Sequence, residues 1–191
     1  MDLTSTLKEG VYRSIATILL PGAVAIAPYL FLAVHYFPGL STAIEQGAAW
    51  SAVLLTLIFI GVGLLTDTLG AFIEEKVLDQ LHDDPKRVRE EWYRYLRIAF
   101  SQEPIGQRYL RSMTLHLKFE LGLGVAIVLG LAGLVWLNCV KSLVSAVPAV
   151  GLAVLLLALA AYLFWEARAS SEVLARVRQE LLKGVSDPPI N

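Results

Sequence analysis

Four long apolar stretches dominate the chain and are separated by short or charged connections. None of them contains Asp, Glu, Lys or Arg, and they cover residues 14–44, 46–66, 121–140 and 142–165. About 20 helical residues cross the roughly 30 Å of hydrocarbon in a bilayer, so each stretch is long enough to span one. The pattern therefore predicts an all-α integral membrane protein, with transmembrane helices at about 14–36, 48–70, 120–140 and 145–166.

The distribution of lysine and arginine predicts the orientation. Basic residues collect in cytoplasmic loops, and here every one except Lys141 lies before the first span, between the second and third, or after the fourth. The connection after the first span contains the turn formers Pro38, Gly39 and Ser41, and the other outer connection is equally short. We therefore predict two antiparallel helical hairpins with both termini in the cytoplasm, in the inner (plasma) membrane of a bacterium.

Apolar residues keep helical spacing beyond the inner ends of the second and fourth spans, which indicates helices that protrude from the membrane. Between those spans, Asp84 and Pro85 are typical of a helix start. These patterns predict a small cytoplasmic helical layer. The predicted organisation is an N-terminal transmembrane hairpin (1–71), a cytoplasmic amphipathic helical segment (72–118), a C-terminal transmembrane hairpin (119–166) and a cytoplasmic helical extension with a tail (167–191).

Composition narrows the functional classes. Hydrophobic residues make up 56% of the chain and the formal net charge is −1, which argues against a nucleic-acid partner, since such proteins usually carry a basic domain or stripe. The single cysteine, Cys139, and three scattered histidines predict neither an internal disulfide nor a metal site. No phosphate loop, dinucleotide fingerprint or nucleophile elbow is present. We therefore expect a protein that is not an enzyme and binds no cofactor.

Two prolines and one acid are unusual within the predicted spans. Pro21, which is followed by Gly22, and Pro28 each free the carbonyl four residues earlier in the first span, and in hydrocarbon that carbonyl needs another partner. Such positions either break a helix around an ion or substrate site or pack as kinks. Asp67 lies near the inner end of the second span, where it is either a permeation residue or a boundary residue in an ion pair.

Small residues recur at every fourth position in the third span, at Gly122, Ala126 and Gly130. Such a stripe lets a second helix approach closely. We expect it to mediate helix packing, with a partner either in the same chain or in another copy.

Aromatic and basic residues interleave in the segment between the two hairpins. This mixture suits the inner leaflet, a protein-binding face, or packing against the extensions of the spans. The candidate surface residues are Arg89, Trp92, Tyr93, Arg94, Tyr95, Arg97, Arg108 and Arg111.

Arg111 and His116 form an Arg-x4-His spacing that is similar to the short motif of the HEPN family of helical ribonucleases. The resemblance covers six residues. It implies that the arginine and histidine would act on RNA at a dimer interface.

Three functional hypotheses follow. The first is a non-catalytic polytopic membrane protein, a homo-oligomeric anchor or scaffold whose cytoplasmic helices bind a soluble partner. The alternative is an oligomeric pore or ion-conducting membrane effector, for example of a bacterial defence system. A HEPN-like ribonuclease is the third, and the absence of other catalytic motifs makes it the least economical.

Overall fold

A computed structural model describes residues 3–78, 90, 93 and 105–186. Within these residues the chain is helical and contains no strand. Its elements, in chain order, are α1 (Leu3–Tyr36), α2 (Pro38–Gln46), α3 (Ala48–Ile73), a π-helical turn (Glu74–Leu78), α4 (Ile105–Lys141) and α5 (Ala146–Ser186).

Four of these helical segments are long and apolar enough to cross a membrane. They are Thr17–Tyr36 in α1, Ala48–Leu78 in α3 and the π-helical turn, Tyr109–Lys141 in α4, and Ala146–Val177 in α5. The prediction of an all-α chain with four such helices is confirmed.

The connection between the first two apolar helices differs from the expected turn. Pro38, Gly39 and Ser41 belong to the exposed helix α2. Proline suits the first position of a helix, because its fixed φ is already helical and its missing N–H would have no partner there. The Ser41 hydroxyl donates to the Pro38 carbonyl at 2.8 Å and closes the first turn.

The helix α4 occupies the centre of the described structure. It packs against α1, α3 and α5, and α1 also packs against α3, whereas α5 has its main contacts with α4 alone among the described helices. Many large apolar side chains of α3 and α5 are consequently exposed, including Leu57, Leu65, Val154 and Leu155. Apolar surface of this extent is foreign to a monomer in water and natural in lipid.

The helices α1 and α3 cross at two glycines. A Cβ atom on Gly22 would overlap the carbonyl oxygen of Phe59, and one on Gly63 would overlap the carbonyl oxygen of Ile18. Residue 22 therefore faces residue 59 while residue 18 faces residue 63, so the two helices run in opposite directions. Only glycine permits this approach, which is the packing device of small residues in membranes.

A compact apolar cluster joins the π-helical turn, α4 and α5. It contains Leu78, Leu117, Leu121 and Ala167, all buried, with Phe164 partly buried against them. At their other ends α4 and α5 line a half-open apolar groove with a volume of about 310 Å³.

The crossing of α1 and α3 generates a first prediction. In Gly63→Ala the new methyl group meets a backbone carbonyl that has no freedom to move, so the helices must separate. We expect a loss of at least about 2 kcal/mol in the free energy of unfolding, measured by circular dichroism during denaturation in micelles.

Gly61 supplies the matched control. It lies two residues away on the same helix, and a Cβ there would meet nothing within 4 Å. Gly61→Ala should leave the unfolding free energy unchanged or raise it slightly, because alanine favours the helix. Equal losses for the two variants would contradict the proposed role of Gly63.

Candidate functional site

Both prolines of the first span lie inside the continuous helix α1 and are buried. Pro21 faces α4, where a Cβ on Gly122 would lie 3.9 Å from its Cγ atom. The carbonyl that Pro28 frees belongs to Val24, and a Cβ on Gly130 would lie 2.7 Å from its oxygen. The backbone of α4 therefore covers this carbonyl, in the manner of a weak Cα–H···O contact.

Further contacts join α1 to the same face of α4. The Tyr29 hydroxyl donates to the Leu129 carbonyl at 3.0 Å, and the Tyr29 ring meets Trp136 edge-on, with centroids 6.5 Å apart. Ala126 has no exposed surface. Gly122 and Gly130 thus have α1 of the same chain as their neighbour, and Gly22, predicted as part of a helix break, lies in the contact with α3.

Asp67 is half-buried on α3. It makes no ion pair with any residue that the structure describes. The hydroxyls of its neighbours Thr66 and Thr68 donate to carbonyls of their own helix, those of Gly63 and Leu64, each at 2.8 Å. These hydroxyls are therefore used within α3.

The structure covers only part of the predicted surface set. Tyr93 is exposed, Arg108 lies in the first turn of α4, and Arg111 is exposed on the same helix. The remaining members of the set lie outside the described residues, and they are Arg89, Trp92, Arg94, Tyr95 and Arg97.

Arg111 and His116 lie five positions apart on α4, which separates them by about 140° around the helix axis. They therefore point to different sides of one helix. The ribonuclease hypothesis stays a prediction that needs a second copy to bring the two side chains together.

Glu120 is the acid that the structure buries most deeply in the described apolar helices. Only 3% of its surface is exposed, and it lies within the candidate span of α4. Its Oε1 atom is 3.2 Å from Nε2 of His116, one helical turn earlier. Its Oε2 atom is buried and has no hydrogen-bond partner.

The helix α5 supplies the other polar groups around this carboxylate. The Ser170 hydroxyl is a hydrogen-bonding neighbour of Glu120, and the Glu166 carboxylate lies close enough to act on it electrostatically. Ser170 is itself buried. The rest of the surroundings is the apolar cluster of Leu117, Leu121 and Ala167. We call Glu120, His116, Glu166 and Ser170 the boundary site, since Glu120 and Glu166 flank the uncharged stretches of α4 and α5.

Sequence reasoning singled out Asp67 and missed Glu120. The position of Glu120 held a signal, because it comes three residues after Leu117 and so continues the apolar face of Tyr109, Met113 and Leu117. An acidic residue at a position where the helical pattern calls for an apolar one indicates either a buried charge or the partner of one. What makes Glu120 buried, however, is the placement of α5 against it.

Among the described residues, no group of three or more His, Cys, Asp or Glu side chains is arranged to hold a metal ion. The boundary site offers instead a buried carboxylate, an exposed imidazole and a hydroxyl. These groups can bind and transfer protons.

Comparison with known proteins gives no match to any family model, any curated protein or any solved structure. The class follows from the fold alone: this is an all-helical protein whose four long apolar helices suggest residence in a membrane.

The contact of Gly130 with Val24 generates a second prediction. Gly130→Ala places a methyl group 2.7 Å from the carbonyl that Pro28 frees, so α4 must move away from α1. We expect the free energy of unfolding in micelles to fall by about 1 to 3 kcal/mol.

Gly122→Ala is the control on the same stripe, because its methyl group would make an ordinary 3.9 Å contact with Pro21. It should change the unfolding free energy by less than about 0.5 kcal/mol. If the stripe instead packed against another copy of the chain, both variants would keep the stability of the monomer, and both would self-associate more weakly.

Proposed function

We propose that this chain is a non-catalytic membrane anchor that works as a homo-oligomer and binds a soluble protein through helices on the cytoplasmic side. The observation that carries the proposal is the length of α4 and α5. They contain 37 and 41 residues, which correspond to about 55 and 61 Å of helix. About 30 Å is enough to cross the hydrocarbon.

The excess length lies at one end of the molecule. The first part of α4 and the last part of α5 flank the apolar cluster that also contains Leu78 of the π-helical turn. From Glu166 to Ser186 the helix α5 extends for about 30 Å. By the distribution of basic residues, this end is the cytoplasmic one.

The extension of α5 has two different faces. Ala167 is buried in the cluster with Leu117 and Leu121 of α4, and Leu174 is also buried. By contrast Val173, Arg176 and Glu180 are exposed at spacings of three and four. Those spacings place the exposed side chains on one face of the helix. A face that combines an apolar residue with an arginine suits a protein partner.

Two further features support the arrangement. The opposed crossing of α1 and α3 supports the antiparallel hairpins. The part of the cytoplasmic helical layer that lies outside the described residues is proposed from the sequence pattern alone. Among the described helices α5 has α4 as its one main neighbour. This supports self-association, since the exposed apolar side chains of α5 include Val150, Val154 and Leu155. A second copy or lipid can cover them.

The third prediction tests the anchor with membrane vesicles of the source cells. We expect a soluble protein to co-purify in fixed stoichiometry with the full chain from inside-out vesicles, and not to bind sealed right-side-out vesicles. The double substitution Val173→Glu with Arg176→Glu should reduce this binding at least tenfold, because it reverses the charge and removes the apolar contact.

Leu155→Ala is the matched control, since it changes an exposed side chain of the same helix within the uncharged stretch. It should retain the soluble partner. Mass measurement of the detergent-solubilised particle then separates a symmetric oligomer from a monomer. Binding from the right-side-out face, or binding that the double substitution leaves unchanged, contradicts the anchor.

The second candidate function is an oligomeric ion-conducting effector, and Asp67 is the observation that favours it. Its half-buried carboxylate has no ion pair with a described residue, and the exposed Leu64 and Leu65 precede it on α3. Copies that met along α3 would bring several such carboxylates together. The packed prolines and glycines of α1 and α4 give a single chain no comparable path.

The fourth prediction concerns this candidate. Liposomes that contain the purified chain should pass cations, and Asp67→Asn should reduce the cation current or its selectivity because it removes the charge at the path. Glu45→Gln is the control, since Glu45 is an exposed acid on α2. Liposomes that stay tight, or equal currents in the two variants, argue against conduction.

A further inference from the structure

The described partners of Glu120 do not fully offset the free-energy cost of burying an ionised carboxylate. An ionised carboxylate in an apolar interior is far more costly than a neutral polar group, and acids within membrane spans are functional candidates by default. Here the Oε2 atom is buried without any hydrogen-bond donor. A negative charge shared by both oxygens is therefore stabilised on one side only.

His116 extends from this carboxylate to the surface of the described structure. Its side chain is 63% exposed, that of Glu120 is 4% exposed, and their Nε2 and Oε1 atoms are 3.2 Å apart. Imidazole is the side chain that binds and releases protons most readily near neutral pH. The pair thus places a proton carrier at the surface in direct contact with a buried proton acceptor.

None of the other neighbours that the structure describes adds a positive charge. The helix α5 contributes the neutral Ser170, whose hydroxyl is a hydrogen-bonding neighbour of the carboxylate, and Glu166, whose charge repels it. The helix α3 approaches this level of α4 with Gly70, the π-helical turn with Leu78, and α1 with Pro21, and none of these side chains is charged.

We infer that His116 and Glu120 form a proton-binding site between α4 and α5, in which the proton reaches Glu120 from water through the imidazole. The Nε2–H bond of the imidazolium breaks as an O–H bond forms on Oε1. Both side chains are then neutral, and His116 takes its next proton from water. The Oε2 atom becomes a carbonyl oxygen, whose lack of a donor costs much less than that of a charged oxygen.

This site goes beyond the anchor function and does not depend on it. Infrared difference spectroscopy of the full chain in lipid at neutral pH tests it directly. The carbonyl stretch of a protonated carboxylic acid should be present, lost in Glu120→Gln, and shifted in Glu120→Asp, which keeps a carboxyl group. Glu45→Gln should leave the band unchanged.

The route through His116 is tested by transfer into heavy water. The band of Glu120 should change to its deuterated position roughly 100-fold more slowly in His116→Gln, since a positioned acid–base group accelerates proton transfer by at least that order. Wild-type and Glu120→Gln spectra that coincide in the carboxylic-acid region would overturn the site. Exchange at the wild-type rate in His116→Gln would overturn the route.

Discussion

The close approach of helix backbones at glycine is the contact on which the rest of this structure depends. Lipid is as apolar as a leucine side chain, so helices in a membrane gain little from burying apolar surface against one another. They associate through short-range packing, which requires small residues. Gly22 and Gly63 supply it between α1 and α3, and Gly130 supplies it between α1 and α4.

The need for small residues at close helix contacts gives α4 two packing faces, one toward α1 and one toward α5. Gly130 and Gly133 lie against α1, whereas Gly124 lies against Phe164 of α5. Glu120 precedes Gly124 by four positions, so the two share the face toward α5. The glycine allows α5 to come close, and that closeness removes Glu120 from solvent. The buried acid is therefore a consequence of the packing of small residues, not an isolated feature.

The sequence predicted what depends on local composition. A run of 20 or more uncharged and mostly apolar residues keeps that character wherever it folds, so the four long apolar helices were predictable. The stripe of Gly122, Ala126 and Gly130 predicted a close helix contact, but its partner depends on tertiary structure. The sequence predicts a break or a kink at Gly22 from its neighbour Pro21, because nothing in the sequence pairs residue 22 with residue 63. Glu120 was not predicted for a similar reason. It directly precedes an uncharged run, and nothing in the sequence shows that α5 packs against it.

The position of Glu120 relates the membrane part of the molecule to its extensions. It lies where α4 and α5 are in contact, at the level where both uncharged stretches end. Beyond this level α5 continues to Ser186, a distance of about 30 Å. Under the proposed proton binding, the charge at this contact changes with the proton. The inner surface proposed for a partner therefore belongs to a helix that also contributes neighbours to the proposed proton site.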